Sequence, residues 1–199
     1  MPYQPFAHGK LSGLNYRDER PFISWHRPKL LAGIDEWLQL DPPRLELATL
    51  ALAELRWRGA KRARRAEALF EEKNIEPVEW LAEAHRLAVQ ELERSITPRG
   101  RGRLYVILRA GYTAKNCTYG AYVGVTAKSV EERFREHRAG IHAARGLKQH
   151  GIELLYSLFD WANPIPGTKE ARLQRETELH KLLEQIIPKV SGDVVRPED

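Results

Sequence analysis

Two short apolar runs constrain this chain more than any other feature: Leu104-Tyr105-Val106-Ile107-Leu108 and Ala121-Tyr122-Val123-Gly124-Val125. Each is too short for a core helix and rich in β-branched and aromatic residues, which predicts two strands. Ser129-Val130-Glu131-Glu132 follows the second run and fits a capping box, with Ser129 as N-cap and Glu132 reaching back. The helix so begun is expected to bury Val130, Phe134 and Ile141. A third strand is predicted over Ile152 to Phe159, bounded by Gly151 and by Asn163-Pro164. Pro166-Gly167-Thr168 leads into a last helix that ends before Pro188. Strand, strand, helix, strand, helix implies an α/β (α+β) domain over 99–199, a small three-stranded antiparallel sheet flanked by helices.

The segment before it reads as mostly α-helical, with a boundary at Thr97-Pro98-Arg99-Gly100-Arg101-Gly102. Residues 1–26 have no clear period and read as an irregular arm packing Phe6, Tyr16, Phe22 and Trp25. A short helix is expected from Pro28 to Leu40, with Leu31, Ile34 and Leu38 on one face. Pro42-Pro43 stops it and starts the next. From Arg44 to Lys73 apolar residues recur at steps of three and four, and Gly59 is the expected break. Off that stripe lies a basic cluster: Arg56, Arg58, Lys61, Arg62, Arg64 and Arg65. Two readings stay open for it, a solvated helix face and a phosphate-contacting face. Pro77 is expected to open a further helix carrying Trp80, Leu81, Ala84, Leu87, Ala88, Leu92 and Ile96 on one side.

At 42% hydrophobic and 30% charged, the chain can bury a core and keep a solvated surface. Its longest apolar stretch, near Leu45 to Leu55, is interrupted by Glu46 and Glu54 and is too short to span a bilayer. The first residues carry no basic-then-apolar leader pattern. Cys117 is the single cysteine, which rules out an intramolecular disulfide and a cysteine-rich zinc site. These features predict a cytoplasmic (intracellular) protein with no membrane partner. The net charge of +5 is compatible with a phosphate-rich partner.

The candidate chemistry lies in the second half. Arg133 and His137 are four apart and share one helix face. In the last helix the apolar stripe is Leu173, Leu179, Leu183 and Ile186, and Glu176 falls inside it, while Glu170, Glu178 and Glu184 can point to water. A carboxylate on a core-facing stripe is costly unless paired or bound to a cation. Periodicity leaves both options open, a structural ion pair with Arg133 or a metal site.

The segment from about 103 to 192 resembles the GIY-YIG nuclease family. Its first motif is similar to Arg103-Leu104-Tyr105 and its second to Tyr122-Val123-Gly124. Arg133, eleven residues after Tyr122, matches the arginine of the family's first helix. His137 matches the histidine often found one turn later. Glu176, in Arg175-Glu176-Thr177-Glu178-Leu179, matches the metal-binding glutamate. Three positions depart from the pattern. Arg103 stands where glycine is usual, the loop between the two tyrosines is long, and Pro188-Lys189-Val190-Ser191 ends on serine where the family often has asparagine.

The resemblance implies an Mg2+-dependent (or Mn2+-dependent) endonuclease hydrolysing phosphodiester bonds of nucleic acid, with DNA the expected substrate. Its implied catalytic residues are Tyr105, Tyr122, Arg133, His137 and Glu176, with Glu176 holding the metal. Tyr105 is the implied base, His137 its rival, and Tyr122 would orient water or phosphate. Lys128, Arg138, Arg145 and Lys148 are candidate nucleic-acid contacts, and Tyr112 and Tyr119 candidate base-stacking residues. The alternative, for which Ser191 is the main support, is a catalytically weak or inactive nucleic-acid-binding protein on the same scaffold. The N-terminal helices would hold the substrate or, on a third reading, dock a protein partner.

Overall fold

Gly59 breaks the long helical stripe as its propensity suggests. It adopts φ +121°, which a residue with a side chain rarely tolerates, and the chain turns there between two helices. The computed structural model of the protein describes residues 9–92, 99–111 and 118–192. Its helices are α1 (Arg27–Gln39), α2 (Leu45–Trp57), α3 (Ala60–Glu72), α4 (Leu81–Leu92), α5 (Val130–Ala139), α6 (Leu147–His150) and α7 (Lys169–Leu183). The strands are β1 (Arg103–Arg109), β2 (Gly120–Thr126), β3 (Gly151–Leu154) and β4 (Val190–Ser191). The class is mixed α and β.

The sheet differs from the predicted three antiparallel strands. It has four strands in the order β3-β1-β2-β4, with β1 antiparallel to β2 and β3 but β2 parallel to β4. The extra strand is Val190–Ser191, too short to carry a period-2 signal, and its register pairs Tyr122 with Ser191. The predicted third strand is cut to Gly151–Leu154, and two single 3-10 turns, Tyr156–Leu158 and Asp160–Ala162, follow it. Beyond β3 the β1 edge is paired by a side chain. Leu104 N donates to Asn163 Oδ1 and Asn163 Nδ2 donates back to Leu104 O, both at 2.8 Å. Those bonds satisfy backbone that a longer third strand would have taken.

Two helix expectations are also corrected. The helix placed at Pro77 starts at Leu81, and Ile141, assigned to the core beneath α5, is 53% exposed because Gly140 ends that helix in the left-handed conformation. Tyr16 and Phe22 of the arm are buried and Trp25 half-buried. Phe6, Ile96, Thr97, Pro98, Tyr112 and Cys117 lie outside the described residues.

Buried polar contacts tie the helical half to the sheet. Ser157 N donates to Glu46 Oε1 at 2.6 Å, and Glu46 N, in the first turn of α2, donates to Glu153 Oε1 at 2.7 Å. His85, fully buried on α4, faces Ser157 O at 2.8 Å and Asp18 O at 2.9 Å. Burial pushes the Glu46 carboxyl up to about 7 against the Ser157 hydrogen bond. Burial and the Glu46 charge push Glu153 up to about 8. Both groups therefore bind protons in the folded protein at pH values where the unfolded chain has released them. Stability is then highest below the ordinary carboxylate range and falls as pH rises toward 8. Glu46→Gln keeps the acceptor for Ser157 and cannot ionise. It is expected to match the wild type near pH 4 and exceed it by roughly 3 kcal/mol at pH 8.5, because each tenfold difference in proton affinity between the folded and unfolded chain is worth about 1.4 kcal/mol. Urea unfolding at the two pH values checks this, and parallel pH profiles would refute it.

Candidate active site

Strand parity puts both candidate phenols on one face of the sheet. Tyr105 lies opposite Gly124 and Ile107 opposite Tyr122 in the β1–β2 register, so Tyr105 and Tyr122 are diagonal neighbours. Gly124 makes room for them. A Cβ there would lie 2.5 Å from the Tyr105 hydroxyl and 2.9 Å from Tyr122 Cε1. With only hydrogen at that position, the two rings sit 6.1 Å apart between centroids.

The α5 helix brings the next two groups. Ser129 caps it by accepting a hydrogen bond from Glu132 N at 3.1 Å. Val130 and Phe134 are buried beneath it, and the same side carries Arg133 and His137 over the phenols. The His137 imidazole is fully buried, 5.9 Å from the Tyr105 ring and 5.5 Å from the Tyr122 ring by centroids. Its Nε2 lies 2.8 Å from the Tyr105 hydroxyl. Its Nδ1 accepts from Ala144 N at 3.3 Å. A backbone N–H can only donate, so Nδ1 has no proton and Nε2 must carry it. His137 therefore donates to Tyr105. Burial and the Arg133 charge drive the imidazole down to about 4, so it is neutral through the physiological range.

After Gly140 the chain folds back over the site. Arg133 Nη2 donates to His142 O at 2.8 Å, and Nη1 lies 3.5 Å from Ile141 O and 3.1 Å from Glu136 Oε2. The guanidinium also reaches the Tyr105 hydroxyl by hydrogen bonding and by charge. Burial pushes the Tyr105 phenol up to about 12, with Arg133 and Tyr122 pulling it back and Glu176 adding to the rise.

Glu176 comes from α7, whose N-terminus is capped by Thr168 Oγ1 accepting from Ala171 N at 3.3 Å. It is 3% exposed, beside the fully buried Leu179 and Leu183. Gly192 closes in on it just past β4. A Cβ at Gly192 would stand 3.5 Å from Glu176 Oε1, 3.3 Å from His180 Cδ2 and only 2.6 Å from Val123 O. All five predicted catalytic residues thus meet around the Tyr105 hydroxyl or act on it. Family models, curated proteins and solved structures yield no match to this chain.

The outlying candidates fare unevenly. Lys128 is engaged by Glu132 at 3.3 Å and by Glu136. Arg138 donates to Gly151 O. Arg145 is exposed on the loop that supplies Ala144 N, and Lys148 is exposed with its stem against Gly140. Tyr119 is half-buried and its carbonyl accepts from Trp80 Nε1 at 3.1 Å, an anchored position rather than an open platform. Ser191 Oγ lies 3.3 Å from Ala121 O, so its hydroxyl serves the β2–β4 junction. His180 escaped the sequence reading. It lies one turn after Glu176, is 5% exposed and abuts the same Gly192, and the four-residue step from the buried acid was its available signal.

Among the described residues no group of three or more His, Cys, Asp or Glu side chains is placed to hold a metal. A magnesium-type site needs only one or two carboxylates, with water and substrate phosphate completing the coordination. The donor set of Glu176, with His180 beside it, fits such an ion. No helix among the described residues is long and apolar enough to cross a membrane.

Proposed function

We propose that this chain is a metal-dependent endonuclease of GIY-YIG type that hydrolyses phosphodiester bonds in nucleic acid, DNA in the first instance. The observation that carries the reading is the Tyr105 hydroxyl. It lies 2.8 Å from His137 Nε2, within hydrogen-bonding reach of Arg133 and Tyr122, and in the field of the buried Glu176. A cation, a phenol, an imidazole and an acid gathered around one oxygen are groups that phosphodiester hydrolysis calls on, and their convergence supports the reading.

Glu176 would hold Mg2+ or Mn2+, which when bound supplies Lewis-acid stabilisation of the leaving 3′ oxygen. Arg133 neutralises charge on the non-bridging oxygens. Tyr105, once its phenol has released its proton to solvent, takes the proton of the attacking water as the P–O3′ bond breaks, and the departing oxygen is protonated from solvent. His137 is a positioning residue. Its Nε2–H points at the phenol oxygen and stabilises the phenolate as it forms, so the role of base falls to Tyr105 alone. Tyr122 directs its hydroxyl into the same space.

A phenol raised to about 12 is almost wholly protonated at pH 7, so base catalysis by Tyr105 makes the rate climb with pH. The expected log rate rises by about one per pH unit above pH 7, since each unit ionises tenfold more phenol until the pH nears the phenol's own ionisation. No inflection is expected at pH 6–7 from His137, which is held near 4. His137→Gln, which can still donate, should keep several-fold more activity than His137→Ala. A bell-shaped profile centred on pH 6.5 would restore histidine as the base.

The test of the whole reading is nicking of supercoiled DNA with Mg2+, with and without EDTA, next to linear, single-stranded and branched substrates. Chelator-sensitive cleavage supports it. Binding without turnover in any of them favours the alternative of a non-catalytic nucleic-acid-binding protein on the same scaffold.

A further inference from the structure

The basic cluster of α2 and α3 divides in two. Arg56 pairs with Glu67 at 3.0 Å and Glu79 at 2.7 Å, Arg58 with Glu54 at 2.6 Å, and Arg65 with Glu72 at 2.5 Å. Arg58 also clamps the arm by donating to the carbonyls of Trp25 and Ile23. Those three therefore have their charge matched within the protein, although Arg56 and Arg65 are exposed. Lys61, Arg62 and Arg64 are exposed and their side chains have no ion-pair partner among the described residues.

A second group of cations adjoins them. Arg27 and Lys29 are exposed in the first turn of α1, and Arg27 Nε lies 3.4 Å from Arg62 O, so the starts of α1 and α3 touch. Neither helix has an acidic residue in its first turn, and neither N-cap side chain makes a capping bond. A helix start already carries partial positive charge, so cations there lower helix stability. Four of them in two abutting first turns, with Arg64 just beyond, form a surface that opposes its own local electrostatics. An external polyanion relieves that repulsion.

We propose that this corner, formed by Arg27, Lys29, Lys61, Arg62 and Arg64, is a second nucleic-acid contact that grips the phosphate backbone without reading sequence. The choice of DNA as the polyanion rests on the proposed function above, while the surface itself rests only on charge and exposure. Its position adds a length requirement. The first turn of α2 is joined to the sheet half through Glu46, and the corner lies at the other end of that helix. Thirteen residues at 1.5 Å rise span about 20 Å, roughly six base-pair steps of 3.4 Å. A duplex must extend at least that far past the sheet half to reach the corner.

The experiment measures binding of fluorescent duplexes of 8 and 30 base pairs by anisotropy, in EDTA so that no cleavage intervenes. It compares the full-length wild type with Lys61→Gln/Arg62→Gln/Arg64→Gln, and circular dichroism verifies the fold of each. The triple variant should bind the 30-mer at least about tenfold more weakly at 0.1 M salt, with the log–log salt slope shallower by about 2.7, and lose less on the 8-mer, which the sheet half can hold without the corner. Equal affinity and slope on the 30-mer, or an equal loss on both lengths, overturns the proposal. So does a wild type that binds no duplex, or one whose binding to phosphatidylserine vesicles, but not to DNA, is lost in the variant. A Glu176→Ala protein that no longer cleaves yet binds the 30-mer through this corner leaves the proposal standing. A chain that binds so but never cleaves under any metal sinks the nuclease reading alone.

Discussion

Glu176→Ala is expected to reduce Mg2+-dependent cleavage by at least about 10³-fold, equivalent to the several kcal/mol that a Lewis-acid metal contributes to such a transition state. The loss should be steep because no neighbouring cluster can take over. Among the described residues no group of three or more His, Cys, Asp or Glu is placed to hold a metal. The sign of the effect is itself diagnostic. Glu176 adds to the rise of the Tyr105 phenol, so removing its charge lowers that phenol toward neutrality. If Glu176 acted only through this field, the alanine variant would be the faster enzyme at pH 7. Holding a cation predicts the opposite. The fold should survive, since removing a buried charge also removes its desolvation cost. Glu176→Gln keeps the shape and should fail as Glu176→Ala does. Nicking rates at saturating Mg2+ beside thermal melting curves decide it, and a variant within tenfold of wild type would end the metal-holding role.

Much of this arrangement is legible in the sequence. The short apolar runs Leu104–Leu108 and Ala121–Val125, rich in β-branched and aromatic residues, locate β1 and β2, and Ser129 announces α5 to the residue. Glu176 is conspicuous because the surrounding stripe is apolar, and it is buried as that stripe demands. Gly59 is expected to interrupt one helix and does so at positive φ. What stays hidden depends on partners remote in sequence. A two-residue strand has no period, so β4 exists only because β2 offers it backbone bonds. The early end of β3 follows from Asn163 occupying the β1 edge in its place. The state of His137 cannot be read from its spacing to Arg133, because Ala144, seven residues on, fixes which nitrogen bears the proton. Likewise, six cations in one cluster look alike in sequence, and only the positions of Glu54, Glu67, Glu72 and Glu79 separate those with an ion-pair partner from those without one among the described residues.

On the proposed nuclease reading, the largest effect after Glu176 is expected at Arg133, because its guanidinium would serve the transition state while it also holds the fold of the site. Arg133→Ala should cost about 10³-fold in rate, in the range seen when a phosphoryl-transfer arginine is removed. Arg133→Lys should recover little of it. A lysine cannot bond Glu136, His142 O and the phenol from one planar fork, as the distances of 3.1 and 2.8 Å to the first two require. The two backbone bonds to Ile141 and His142 hold the loop that presents Ala144 N to His137. Losing them frees His137 Nδ1 to take the proton, and Nε2 then ceases to donate to Tyr105. Two consequences follow from that chain of contacts. The His137 imidazole, no longer opposed by the Arg133 charge, should titrate at higher pH, readable from its ring proton resonances. The effects of Arg133→Ala and His137→Ala should be strongly non-additive, the double variant being little worse than Arg133→Ala. Full additivity, or an Arg133→Lys enzyme above a tenth of wild-type rate, would mean that the arginine supplies only diffuse positive charge and that the loop holds His137 without it.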